Sequence, residues 1–312
     1  MKTRKSFLNN FLALALLILI GCGATDSSDD DINNQNIPLD GRGGGIICFN
    51  SGRDGNGELY IMNADGTGQK NITHNPDNDG YGSWSPNGMS IAFVSDRGGS
   101  YAIYRMDVID MQSGQFSEPV KIASKRPSSR VSWSPDGTEL IFDAWPECDI
   151  YTVNSDGTNL NKLIATPEQE FQPYYSPDGS QIVYCRTVGN SQNIWIMNRD
   201  GSNMKSITND GVSYFPTWSP DGNTIAFNSI KAGRQDADIC LTDINGNNRQ
   251  WLTDYSNLDE FPTWSPDGNR IAYQSNRGVH KIYIINKDGS NNNPITTNTS
   301  FDNGEPGWRP NN

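Results

Sequence analysis

Trp84-Ser85-Pro86-Asn87-Gly88, Trp133-Ser134-Pro135-Asp136-Gly137, Tyr175-Ser176-Pro177-Asp178-Gly179, Trp218-Ser219-Pro220-Asp221-Gly222 and Trp264-Ser265-Pro266-Asp267-Gly268 repeat one pentapeptide. Trp308-Arg309-Pro310-Asn311-Asn312 holds the same place at the C-terminus, and successive aromatic positions lie 49, 42, 43, 46 and 44 residues apart. A period of about 45 marks a repeat architecture, in which one supersecondary unit cannot bury its apolar face alone. The pentapeptide itself is turn chemistry: proline presets φ, Asp or Asn bonds its own backbone, and glycine supplies a positive φ. Its aspartates are therefore read as turn formers.

The segments between the turns define the unit. A short apolar run follows each turn, as in Ile91-Ala-Phe93 or Ile271-Ala-Tyr273, and a second follows a polar turn, as in Leu59-Tyr-Ile-Met62 or Ile194-Trp-Ile-Met197. A third short run, such as Asn71-Ile-Thr73 or Trp251-Leu-Thr253, precedes the next aromatic. β-Branched and aromatic runs bounded by Gly, Pro, Asn and Asp are strands, giving four per unit, A to D. Pro173, Pro216, Pro262 and Pro306 stand two residues before the strand A aromatics. Proline lacks the N–H a central strand needs, so strand A must be an edge, as on the rim of a central channel.

The chain ends complete one another. Ile46 to Phe49 and Leu59 to Met62 match strands B and C with no strand A before them, whereas Glu305 to Trp308 is a strand A with no B after it. The expected fold is all-β: a six-bladed β-propeller of four-stranded antiparallel blades, closed by pairing of the N- and C-terminal strands in blade 1. These motifs resemble the TolB-like β-propeller repeat, related to the WD repeat, over residues 46 to 310. The periplasmic TolB protein carries an N-terminal α/β domain, which the short polar stretch before the first strand does not match. Related propellers also cap prolyl-oligopeptidase-like peptidases, but no Gly-x-Ser-x-Gly elbow is present.

Residues 1–21 read as a secretory signal: Lys2, Arg4 and Lys5, then an apolar core from Phe11 to Ile20 too short to span as a stable helix. Leu19-Ile-Gly-Cys22 resembles a bacterial lipobox, which implies lipidation of Cys22 and a membrane anchor built from several acyl chains. Residues 22–45 are rich in Ser, Asp, Asn and Gly and read as a flexible acidic tether, leaving 46–312 as the propeller. By resemblance to Gram-negative lipoproteins, Gly23 implies the outer membrane. Asp29-Asp-Asp31 is similar to tethers that direct some lipoproteins to the cell surface.

The net charge of −12 argues against nucleic acid as a partner. Besides Cys22 there are four cysteines. Cys48 and Cys240 fall inside strands and are expected to be buried thiols, and Cys148 and Cys185 lie near one rim of adjacent blades, where a bridge is conceivable.

The repeated turns occupy one face, so recognition belongs on the other, around the channel mouth. Asp79, Glu170, Asp259, Glu260, Asp302 and Glu305, interrupted by Arg130 and joined by Gln172, would focus negative potential there. Solvation of the rim is the competing explanation for these acids. Trp145 breaks the repeat and is a candidate anchor, with packing under its own loop the alternative. Asn75-x-Asp77-x-Asp79-Gly80 has the first half of a calcium-loop spacing, but Pro86 stands where the later acidic ligand belongs. The two histidines, His74 and His280, become neighbours through ring closure and could share a metal, though polyuronate lyases on similar propellers use more. The expected function is a lipid-anchored, monomeric, non-catalytic platform for an envelope protein or peptide. The alternative is a carbohydrate-binding protein or a metal-dependent polysaccharide lyase or hydrolase.

Overall fold

Each S-P-[DN]-G turn reverses the chain between strands A and B, and its glycine sits at a φ near +70°, as at Gly179 and Gly222. A Cβ at Gly179 would stand 3.5 Å from the ring of Pro135 in the preceding blade, so the turns of successive blades stack around the axis. The structure, a computed structural model, describes residues 37–310 apart from positions 255 and 298. The signal segment, Cys22 and the first part of the tether lie outside the described residues. No helix among those described is long and apolar enough to cross a membrane.

The described strands form six antiparallel sheets in a ring. Blade 1 joins both ends of the chain: strand A is Asn303–Trp308, B is Ile46–Ser51, C is Glu58–Asn63 and D is Lys70–Asn71. Ile47 pairs with Trp308 and Ser51 with Asn303, which is the closure expected from the two incomplete ends. The inner strands of blades 2 to 6 are Asp79–Trp84, Ser132–Trp133, Gln169–Tyr175, Ser213–Trp218 and Asp259–Trp264. Each lies at the end of its sheet, so strand A is an edge. The outermost strands are short, mostly two residues.

The core lies between blades. Residues such as Ile91, Phe93, Ile225, Phe227, Ile271 and Tyr273 are fully buried, and the strand A indoles are at most 8% exposed. Trp133 also donates its indole N–H to the Ser83 carbonyl of blade 2 at 3.0 Å, tying neighbouring sheets.

Two features depart from the regular unit. In blade 2, strand C extends over Ala102–Asp110 and pairs with both Gln115–Phe116 and Val120–Ala123, making a five-stranded sheet. Leu39, only 2% exposed, packs in the cluster that includes Met111 and Phe116 of that extension. Asn63 holds the same N-terminal segment, accepting from Gly41 N–H at 2.9 Å and donating to the Pro38 carbonyl at 3.0 Å. Residues 37–45 are thus fastened to the turn face, although composition alone assigns them to a free tether. One buried leucine and backbone groups bonded by the propeller suffice for this. All four described cysteines are buried free thiols, so Cys148 and Cys185 do not bridge.

Candidate functional site

The predicted acidic ring divides into two groups. Asp79, Glu170 and Asp259 begin their inner strands and are fully buried, each bonded within its own blade. Arg97 grips Asp79 with bonds of 2.9 and 2.8 Å while its guanidinium lies over Phe93 and Tyr104. Glu170 accepts from the Thr166 hydroxyl at 2.5 Å, with Arg186 Nε 3.5 Å away. Asp259 accepts from the Ser275 hydroxyl at 2.5 Å. Burial raises all three carboxyls, Asp259 to about 6, and hydrogen bonds and arginine charge oppose the shift. Their geometry is that of internal staples.

Two residues further along each inner strand the backbone does something the sequence rules disfavour. Tyr81, Gln172, Phe215, Phe261 and Glu305 all have φ between 53° and 56°. Four of them precede proline, where an extended backbone is the norm. Each heads a bulge: Phe215 and Pro216, for example, fall between the Tyr214–Asn228 and Thr217–Ala226 pairs. Proline is harmless there because a bulged residue makes no ladder bond. Left-handed backbone in such residues costs about 1–3 kcal/mol each and persists only where the surroundings impose it.

Neighbouring blades supply that support. Gln172 N–H donates to Asp143 at 2.9 Å, Phe215 N–H to Gln172 Oε1 at 2.8 Å, Glu305 N–H to Gln274 Oε1 at 3.2 Å and Tyr81 N–H to Glu305 at 2.9 Å. The bulges also bring aromatic rings together on the axis. Phe215 and Phe261 have centroids 4.1 Å apart, and Tyr81 is 6.4 Å from Phe261. The remaining cavity, lined by Arg130, Gln172, Tyr174, Phe215, Phe261 and three prolines, has a volume of about 20 Å3, room for about one water. The rings and prolines crowd the axis at this level.

Glu260 and Glu305 form the second group. They are 5% and 2% exposed, and among the described residues neither takes part in an ion pair. Arg130 instead donates to the Pro306 carbonyl at 3.1 Å. Burial pushes both carboxyls up to about 7. The charges of His280 on Glu260 and of Arg130 on Glu305, together with the Tyr81 N–H bond to Glu305, oppose this only in part. Asn50 Oδ1, Asn228 Oδ1 and Gln274 Nε2 are buried without a partner. These three amides and Asp143 were not among the residues expected at the mouth. A signal exists: each follows the strand B aromatic, a polar residue inside an otherwise apolar run.

The other predicted residues scatter. Asp302 is half-exposed and accepts from His280, whose Nδ1 lies 3.0 Å away. His74 is exposed in its own loop, with its N–H on Asn71. In the calcium-like stretch Asn75 donates to Asp79 and accepts from Asp77 N–H, so those oxygens serve the loop and Arg97. Among the described residues no group of three or more His, Cys, Asp or Glu could hold a metal ion. Trp145 is partly buried and precedes a cis proline, with its backbone N–H on the Arg126 carbonyl.

The fold and its repeated bulges define a six-bladed propeller whose inner strands carry buried polar groups. The family described as the TolB beta propeller domain matches residues 41–143 and 110–312, and the chain belongs to it. It is 28% identical over 187 residues to an uncharacterised protein of Agrobacterium fabrum, covering 55% of this chain and 62% of that one. It is 28% identical over 114 residues to the Tol-Pal system protein TolB of Anaeromyxobacter dehalogenans, covering 35% of this chain and 25% of that protein. The chain thus spans less than two thirds of these relatives. The crystal structure of TolB from Acinetobacter baumannii superposes with a TM-score of 0.73 at 24% identity, over 86% of this chain and 67% of that one.

Proposed function

We propose that this chain is a lipid-anchored propeller of the bacterial cell envelope that binds a protein or peptide at its channel mouth and catalyses no reaction. The crowding of the axis carries this reading. The Phe215 and Phe261 rings lie 4.1 Å apart, and the cavity of about 20 Å3 that they help line has room for about one water, so recognition falls to the broad loop face. Kinship with a Tol-Pal system protein supports a protein partner in the envelope. The lipobox-like Leu19-Ile-Gly-Cys22 and Gly23 support anchoring at Cys22 in the outer membrane. The propeller acts as a monomer.

Crosslinking in intact envelopes, followed by identification of captured proteins, tests the platform. Retention of saccharides with no captured protein would remove it. Cys22→Ser should move the chain from the membrane to the soluble fraction, and unchanged membrane recovery would refute the anchor.

A further inference from the structure

Two buried carboxylates on adjacent inner strands, neither in an ion pair among the described residues, are unusual, because buried charges are normally paired or suppressed. Glu260 belongs to blade 6 and Glu305 to blade 1; burial raises the proton affinity of both, and the charge of Glu305 adds to the shift of Glu260. The charged and titratable groups around Glu260 are His280, Asp259 and Glu305. Those around Glu305 are Arg130 and Tyr81, the latter also feeling Asp143 and Glu260.

The surroundings offer acceptors over an aromatic floor. Asn50 Oδ1 and Asn228 Oδ1 are buried with no donor. In strand B of blades 3 and 6, Asp143 and Gln274 fill the corresponding position and accept the N–H of the next blade's bulge, so these side chains are directed at the channel. Tyr81 and Phe261 form the floor, 3–7% exposed. Carboxylates, amide oxygens and ring faces together select a cation. A metal is disfavoured, since no group of three acidic, histidine or cysteine side chains converges among the described residues. Asp259, the next carboxylate, is already held by Ser275. Single oxygens offered from separate strands suit a point charge with three donors better than the planar fork of a guanidinium.

We propose that the mouth between blades 5, 6, 1 and 2 receives a primary ammonium, the tip of a lysine side chain presented by the partner peptide. This rests on the platform reading above and names the chemistry of its anchor. Half-exposed Asp302, bonded to His280, adds negative charge at the entrance.

The full chain can be titrated by NMR with Nα-acetyl-lysine amide and, as a control of equal length without the charge, Nα-acetyl-norleucine amide. Lysine amide should shift resonances of Tyr81, Phe261 and Gln274, with millimolar affinity that tightens by about tenfold from pH 6 to pH 8 as the carboxyls ionise. Norleucine amide should leave these resonances in place. The Glu260→Gln, Glu305→Gln double variant keeps the side-chain shape and should stay folded while losing about tenfold or more in lysine affinity. Equal response to both amides, equal affinity in the variant, no shift at about 20 mM ligand, or displacement of the lysine amide by calcium or manganese would each overturn the proposal. If the variant still captures a protein partner in envelopes as well as the parent does, the platform stands and the lysine anchor alone is lost.

Discussion

Asp79 at the outer end of one inner strand and Glu305 near the axis on the neighbouring one are both buried acids, yet their environments are opposite. Arg97 embraces Asp79 from the same blade and packs on two aromatic rings. Glu305 stands in no ion pair: the Tyr81 N–H, polar side chains and the charge of Arg130 offset its burial only in part, and its proton affinity is raised to about 7. Burial therefore does not identify function; the compensation of burial does. A charge paired within its blade holds that blade together, whereas one only partly compensated between blades keeps a raised proton affinity, which is what the proposed ammonium guest would use.

The largest effect should come from removing the axis group along with its strand. Deleting residues 302–312 takes away Glu305, Trp308 and the ladder to Ile46–Ser51, and the melting temperature should fall by more than about 10 °C. An unchanged calorimetric transition would show that closure contributes nothing. Next, Arg97→Ala leaves Asp79 buried and unpaired, at a cost of about 3–5 kcal/mol in urea unfolding at neutral pH. A loss below about 1 kcal/mol would place Asp79 with the exposed acids instead.

The axis acids predict the opposite sign. Folding raises their proton affinity from the ordinary 4.5 to about 7, so between these values the folded chain holds more protons than the unfolded one. Stability from this source is complete below about pH 4.5 and is lost as pH rises through about 7. Glu260→Gln with Glu305→Gln should therefore stabilise the ligand-free protein at pH 8 by about 2–4 kcal/mol and flatten its pH profile between pH 5 and 8. Denaturant melts across that range measure it; destabilisation at pH 8 would mean the carboxylates are already compensated. The smallest effect belongs to the turn face. Asp136, held by the Ser134 hydroxyl and lowered to about 2, is largely solvated. Its replacement by Ala should cost about 0.5–1 kcal/mol, mostly through lost turn bonds.

Much of this was legible in residue order. The pentapeptide, its spacing and the incomplete ends predicted six blades and the pairing of the terminal strands, which the structure realises with Ile47 opposite Trp308. Proline two residues before the aromatic correctly placed strand A at an edge. The bulge was not legible, because the local rule for a residue before proline favours extended backbone at Gln172, Phe215, Phe261 and Glu305. Neither was the division of the acids. Ser95-Asp96-Arg97-Gly98 reads as a polar turn until the fold turns its arginine inward onto Asp79.

By itself, the sequence determined the repeat, the strand order and the closure, since turn chemistry and apolar periodicity act over a few residues and recur six times. Only the tertiary structure decided which acids are neutralised, which backbone bends left-handed and whether the axis is open. Each of those depends on groups contributed by different blades, more than thirty residues apart in the case of Phe215 N–H and Gln172. Such distances carry no local signal, and the energy of a buried charge is set by its neighbours in space.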